Sequence, residues 1–438
     1  MSLWPEEGLW RHPDFLKFWS AETVSQFGTQ ISLLALPLVA IDALHVSAFK
    51  VAALTTVEFL PFLLVSLPAG VWVDRLPRRP ILIAGDLTRA GLLASIPIAY
   101  WMDVLTIWQL YGVGFFVGIA TVFFDVAYQS YLPSLVERHQ IIDGNSKLEI
   151  SRSGAQIGGP GLAGVLVGLL KAPPAILIDA VSFLASALFI LGIHKTETSL
   201  RERAPRRKMR IELREGLSYV LRHPYLKNIA ACTALFNFFG TVGFAILLVF
   251  ARRELHLSPL AIGVAFTIGN LGAMTAAFTA NRISGRLGVG RTIILSSVIG
   301  GPIFLIIPFA PHGNAALAVI VPALIVGTFA GVVYNIVQVS LRQAITPEHI
   351  QGRMNSVMRF IVWGTIPLGS LTGGALASWV GLKATLIIGG IGCCLAFLPV
   401  LFSPVRSVRE MPEPLDEEPV VDVLLADTEA AVVPTPHV

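Results

Sequence analysis

Residues 51–80 read VAALTTVEFLPFLLVSLPAGVWVDRLPRRP, and this stretch decides which solvent the chain folds in. From Val51 to Val73 the only charged residue is Glu58, and the run then breaks into Asp74, Arg75, Arg78 and Arg79. A transmembrane helix needs about 20 apolar residues. Only helices and closed barrels satisfy their backbone hydrogen bonds in hydrocarbon, and barrel strands alternate polar with apolar residues, which this run does not. The rest of the chain has the same character. Its 438 residues are 54% hydrophobic and 14% charged, with a mean hydropathy of +0.71, too little charge to cover a soluble chain of that length. The soluble enzyme classes are excluded, and the chain is not read as an enzyme.

Working outward, further runs of this kind fall at about 18–43, 48–73, 81–101, 104–128, 148–170 and 175–193, then 228–251, 260–280, 292–310, 315–339, 356–380 and 384–402. The reading is an all-α membrane protein of twelve transmembrane helices in two pseudo-symmetric six-helix bundles, 18–194 and 228–402. A short N-terminal segment (1–17), a basic linker (195–227) and an acidic tail (403–438) complete it, and the tail is expected to be disordered. The linker stretch IELREGLSYVLRHPYL spaces Ile211, Leu213, Leu217, Val220 and Leu221 as an amphipathic helix for the inner leaflet. With both termini placed in the cytoplasm, 27 of the 32 Lys and Arg fall on the inner side; Lys50, Lys171, Arg252, Arg253 and Lys383 do not. The net charge of +4 is therefore a topological signal, and no nucleic-acid partner is expected. The location implied is the cytoplasmic membrane, multi-pass, with the lipid bilayer as partner and the monomer as the functional unit.

The chain also repeats itself. Asp74-Arg75 parallels Asn281-Arg282, Gln129 parallels Gln338, and Gly28-Thr29 parallels Gly240-Thr241, at offsets of about 207 to 212. Two six-helix units related by an axis along the membrane normal form a transporter architecture with its site near the midplane. The chain has no GxxxxGK[ST] sequence to hold ATP, and the literal G-x-G-x-x-G at Gly159 to Gly164 sits inside an apolar run with no preceding strand. Cys232, Cys393 and Cys394 lie in apolar runs without metal-ligand spacing, so no metal and no cofactor is expected; an ion gradient is the energy source implied.

Gly70-x-x-x-Asp74-Arg75-x-x-Arg78-Arg79, between the second and third spans, resembles the signature loop of major facilitator superfamily transporters, usually G-x-x-x-D-R-x-G-R-R. Gly158-Gly159-Pro160-Gly161 with Gly164 resembles the antiporter-associated motif of its drug-exporting members. SQFGTQISLLALPLVA, LPAGVWVDRLPRRP, FFDVAYQSYLPSLV and REGLSYVLRHPYLKN together resemble the branch that includes macrolide efflux proteins and the enterobactin exporter. The likeness spans roughly residues 9–402. It implies export of small amphiphilic organic molecules by alternating access, coupled to protons. A metabolite importer on the same fold, or a non-transporting membrane sensor, are the alternatives.

The resemblance also implies a conformational latch of Gly70, Asp74, Arg75, Arg78 and Arg79 with Asp125 of the fourth span. The second-half counterparts of Asp74 and Asp125 are Asn281 and Tyr334, which makes the latch asymmetric. Gly154, Gly158, Gly159, Pro160 and Gly164 suit a helix at the interface of the halves. Proton coupling requires an ionisable group that reaches the cavity. Glu58, near the middle of its span, is the leading candidate, with Glu22, Asp42 and Asp179 behind it, whereas Asp86 and Arg89, one turn apart, neutralise each other. A cavity lined by the first, fourth, seventh and tenth spans, as the family fold implies, offers Gln26, Phe27, Gln30, Phe116, Phe123, Phe236, Asn237, Phe239 and Asn335, with Trp363 beside them. This apolar mixture with a few amides suits a bulky amphiphile better than a phosphate ester. The sequence departs from related exporters at Thr29, where they carry an acid, and in the missing arginine of the fourth span.

Overall fold

A computed structural model describes residues 9–65, 69, 72–73, 76–137, 140–194 and 209–410. Gly70, Asp74 and Arg75 of the expected latch lie outside the described residues, as do 195–208 and the tail beyond 410. The described chain is helical: α1 (Pro13–Leu38), α2 (Ala48–Leu64), α3 (Arg78–Trp101), α4 (Ile107–Leu135), α5 (Ile141–Leu170) and α6 (Ala172–Leu191) form the first half. A connecting helix, α7 (Met209–Arg222), leads to α8 (Pro224–Arg253), α9 (Pro259–Leu287), α10 (Val289–Gly300), α11 (Leu317–Ala344), α12 (Glu348–Val380) and α13 (Leu382–Leu395). Eleven helical runs are long and apolar enough to cross a membrane among the described residues; α2, with 17 residues, reaches a turn at Val65 before the gap in the description.

Hydrophobic runs mark where helices cross hydrocarbon, not where they stop. α4 continues to Leu135 and α5 starts at Ile141, both beyond the apolar runs, because water-facing turns extend a helix at no desolvation cost. The ninth span breaks at Gly300-Gly301-Pro302 and resumes as Ile303–Ile306, since proline supplies no backbone donor. The tail does not begin at 403 as expected. Pro404–Ser407 forms a helical turn, and the carbonyls of Val408 and Arg409 accept from the N–H groups of Gly290 and Val289, satisfying donors at the start of α10.

Among the described residues two long contacts join the halves, α5 along α9 and α2 along α12, and α2 also meets α8. The first depends on absent side chains. A Cβ on Gly263 would fall 2.9 Å from the Gly164 Cα, and one on Gly164 would fall 2.7 Å from the Pro259 carbonyl oxygen. Only small residues let two backbones meet so closely in lipid, where van der Waals packing replaces the hydrophobic drive. The same helix has room elsewhere, with nothing within 4 Å of a Cβ on Gly154. Gly263→Leu is therefore expected to push α5 off α9 and lower transport by at least ~10-fold, whereas Gly154→Ala should leave transport intact and add up to about 1 kcal/mol of helix propensity. Transport assays with thermal unfolding in detergent check both.

Candidate translocation site between the halves

The charged groups inside the first half are partnered in distinct ways. On α3, Asp86 and Arg89 are one turn apart and form the expected ion pair at 2.6 Å, with Asp86 0% and Arg89 5% exposed. The Arg89 guanidinium also lies between the rings of Phe124 and Phe183, 4.1 and 4.2 Å from their centroids, a contact no spacing announced. Asp179 on α6 is buried, accepting from Ser32 Oγ and from Ser182 Oγ at 3.0 Å. Gly28 makes room for that cluster, since a Cβ there would sit 2.7 Å from the Ser182 Cβ. Glu22 on α1 is buried and accepts from Gln26 Nε2 at 2.7 Å, while its second oxygen has no partner among the described residues.

Glu58 differs from all of these. It is half-buried, and its carboxylate makes no hydrogen bond or ion pair among the described residues; its stem packs on Gly114 of α4. The register of α2 explains the position. Ala52, Thr56 and Leu63 face α12, at Gly374, Pro367 and Gly364, while Leu54, Glu58 and Pro61 face α4 at Gly114 and Gly118. Thr55 and Phe62 fall between those two strips on the helix, next to Glu58 at the edge of the α4 strip. Phe62 meets Trp363 of α12 at 5.0 Å and Phe59 at 5.9 Å, an aromatic chain that crosses from one half to the other beside the unpartnered carboxylate.

Within the first half, Phe27 and Gln30 of α1 lie against Gly158 and Gly159 of α5. Thus those two glycines face α1 within their own half, while Gly164 and the Pro160 carbonyl meet the other half at Gly263, and Gly161 meets it at Thr267. Asn335 is exposed and accepts from Gln338 Nε2 at 3.0 Å, and Asn237 is half-buried. Three aromatics sit apart from the seam. Phe239 packs on Gly392 and helps line an apolar groove of about 500 Å³ between α8 and α13, Phe236 lies against Gly300 of α10, and Phe116 packs on Phe115 on the opposite side of α4 from Glu58. Phe123 stacks on Trp72 at 6.0 Å.

Between described residues, the hydrogen bonds and ion pairs that join the halves run from mid-span to one end. Asp42 is held by Arg252 in a bidentate pair (2.9–3.1 Å), Arg253 donates to the Val46 carbonyl at 2.5 Å, and Ser370 donates to the Ala52 carbonyl at 2.6 Å. Asp42 rides on a π-helical turn, Val39–Ala43, after Pro37 has removed one backbone donor from α1. Asp42 is thus a bridge between halves, and the signal lay in the sequence: Arg252 and Arg253 are two of the five basic residues on the unexpected side. Midway, Asn270 Nδ2 donates to the Gln156 carbonyl at 2.5 Å, and Thr56 to the Pro367 carbonyl at 3.4 Å. Towards the other end, Gln129, Arg152, Asn335 and Arg359 are exposed, and a Cβ on Gly154 or Gly331 would meet nothing. Among the described residues, the halves touch at one end and stand apart at the other.

The remaining latch residues take different places. Arg79 caps α6, donating to the carbonyls of Ile190 at 3.2 Å and Leu191 at 2.6 Å, and Arg78 opens α3. Asp125 lies within electrostatic reach of Arg89, Arg152 and Arg359, the last on the opposite half. Breaking the buried pair by Arg89→Leu leaves Asp86 uncompensated and is expected to cost about 3–5 kcal/mol, read by unfolding in detergent. Asp42→Asn should loosen the closed end with little loss of stability, and the exchange Asp42→Arg with Arg252→Asp should restore closure, as measured by distances between spin labels on the α1–α2 and α8–α9 loops.

A family profile described as "Transmembrane secretion effector" matches residues 9–434. The chain is 26% identical over 400 residues to the uncharacterized MFS-type transporter YfiS of Bacillus subtilis, covering 89% of this chain and 93% of that one. It is 27% identical over 425 residues to the multidrug efflux pump Tap of Mycolicibacterium fortuitum, covering 92% and 97%. Among solved structures, a bacterial homologue of the iron transporter ferroportin in its inward-facing state superposes with a TM-score of 0.72 at 16% identity, over 89% of this chain and 98% of that one.

Proposed function

The chain belongs to the transmembrane secretion effector family of major facilitator transporters, and from that premise we propose that it exports small amphiphilic organic molecules by alternating access, driven by proton antiport. It is a multi-pass membrane protein and a transporter of the major facilitator type. The observation that carries the finer reading is the unpartnered Glu58 beside Phe62 and Trp363, midway between a closed end and an open one. A carboxylate away from bulk water is costly unless it exchanges its charge for a proton or a cation, and rings next to it favour flat or weakly cationic organics. The open end, which carries the basic connections, is the cytoplasmic one by the positive-inside rule, so substrate enters from the cytoplasm. Likeness to a pump named for multidrug efflux supports the outward direction.

In this cycle, substrate arriving from the open end displaces the Glu58 proton and seats against the aromatic chain. The halves then rock about the α5–α9 and α2–α12 contacts, which exchanges the Asp42–Arg252 closure for one at the basic end. Arg359 and Asp125, on opposite halves within electrostatic reach of each other, are the charges positioned for that second closure. Glu22 offers a second protonatable group on α1.

Proteoliposomes with an imposed pH gradient test the reading on a panel of amphiphilic and cationic compounds. Uphill accumulation of at least one compound is expected, and Glu58→Gln should abolish it while retaining downhill exchange. Movement indifferent to the gradient removes proton antiport, and no movement of any compound favours a non-transporting role.

A further inference from the structure

The connecting helix α7 has two unlike faces, and the transport cycle uses neither. One face is fixed to the second half. Val220 is 0% exposed, Gly216 lies so close to α12 that a Cβ would fall 3.0 Å from the Arg353 carbonyl oxygen, and Glu215 pairs with Arg353 at 2.5 Å. Tyr219 reaches the Ile345 carbonyl at 3.4 Å. The opposite face carries Leu217 and Leu221, one turn apart and 44% and 55% exposed, flanked by the exposed Arg214 and Arg222. Two exposed leucines bordered by arginines make an apolar strip with a cationic margin, the pattern of a helix that lies in a bilayer interface. Its charge is not confined to those two residues: the stretch 195–227 holds ten Lys and Arg against four Glu.

We propose that α7 docks on anionic phospholipid, with Leu217 and Leu221 entering the acyl boundary and Arg214 and Arg222 meeting headgroup phosphates, and that Glu215–Arg353 makes this docked helix a strut for α12. Charge complementarity selects this occupant. A second protein would have to reach a strip at the edge of the bundle beside the bilayer, whereas lipid is already there, and a surplus of six basic charges favours an anionic headgroup over a zwitterionic one. Because α12 also carries Arg359, Trp363 and Pro367, lipid held at α7 bears on the helix that forms one wall of the seam.

The test uses the full chain in nanodiscs and needs no transported substrate. Leu217→Trp is compared with the unsubstituted protein, in discs doped with phosphatidylglycerol or phosphatidylcholine brominated on the acyl chains. Added quenching of the new tryptophan is expected from both lipids, and about threefold more from brominated phosphatidylglycerol at equal content. Arg214→Gln with Arg222→Gln should bring that ratio to about one while the thermal unfolding midpoint in phosphatidylcholine stays unchanged. No added quenching, or a ratio of one in the parent, overturns the docking. The strut is tested separately: Glu215→Gln should keep the quenching but lose the rise in unfolding midpoint that phosphatidylglycerol confers, and a rise that persists overturns it.

Discussion

A charge in hydrocarbon must be answered, and the arrangement of this protein follows from how each one is. Removing a carboxylate from water costs several kcal/mol or more unless a cation, donors or a proton compensates it. Asp86 is answered by Arg89, itself held between two rings; Asp179 by two serine hydroxyls; Asp42 by an arginine from the other half. Each answer binds the acid to one place, and the first two tie α1, α3, α4 and α6 of the first bundle together. Glu58 has no such answer among the described residues, and the proposed proton coupling rests on that.

The seam between the halves is built for the opposite purpose. Its strongest polar bridge, Asp42–Arg252, is partly exposed, with side chains 34% and 23% accessible, so water can replace it at little cost when the halves separate. Beneath it, α5 and α9 meet through Gly164 and Gly263, where no interlocking side chains need to be unpicked. Bundles joined by contacts that break cheaply can move as bodies, which is what the proposed alternating access demands. The aromatic chain from Phe59 through Phe62 to Trp363 spans the same seam, so a molecule seated there touches both halves.

Much of this was legible in the residues. Run lengths and hydropathy gave the helices, and the offset between halves gave their duplication. The Asp86–Arg89 pair was legible because it is local, one turn along a single helix. Long-range partnerships were not. The Phe124 and Phe183 rings around Arg89 come from two other spans, and Asp42 finds Arg252 across more than two hundred residues. The one hint was negative: Arg252 and Arg253 break the charge asymmetry of the chain, and a rule broken at a cost usually marks a contact. The aromatics show the limit from the other side. Phe116, Phe236 and Phe239 are aromatics of apolar spans as Trp363 is, yet they pack away from the seam, because the rotation of each helix is set by its neighbours and no single-helix pattern records it.

By itself, then, the sequence determined the solvent, the helical class and the two-fold duplication, because hydrocarbon permits few ways to satisfy a backbone and each leaves a long, local signature. Tertiary structure alone decided that Glu58 has no partner among the described residues, which glycines touch across the halves, and which end of the described seam is shut. Those properties depend on the angular setting of one helix against another, a quantity fixed by packing between residues far apart in the chain.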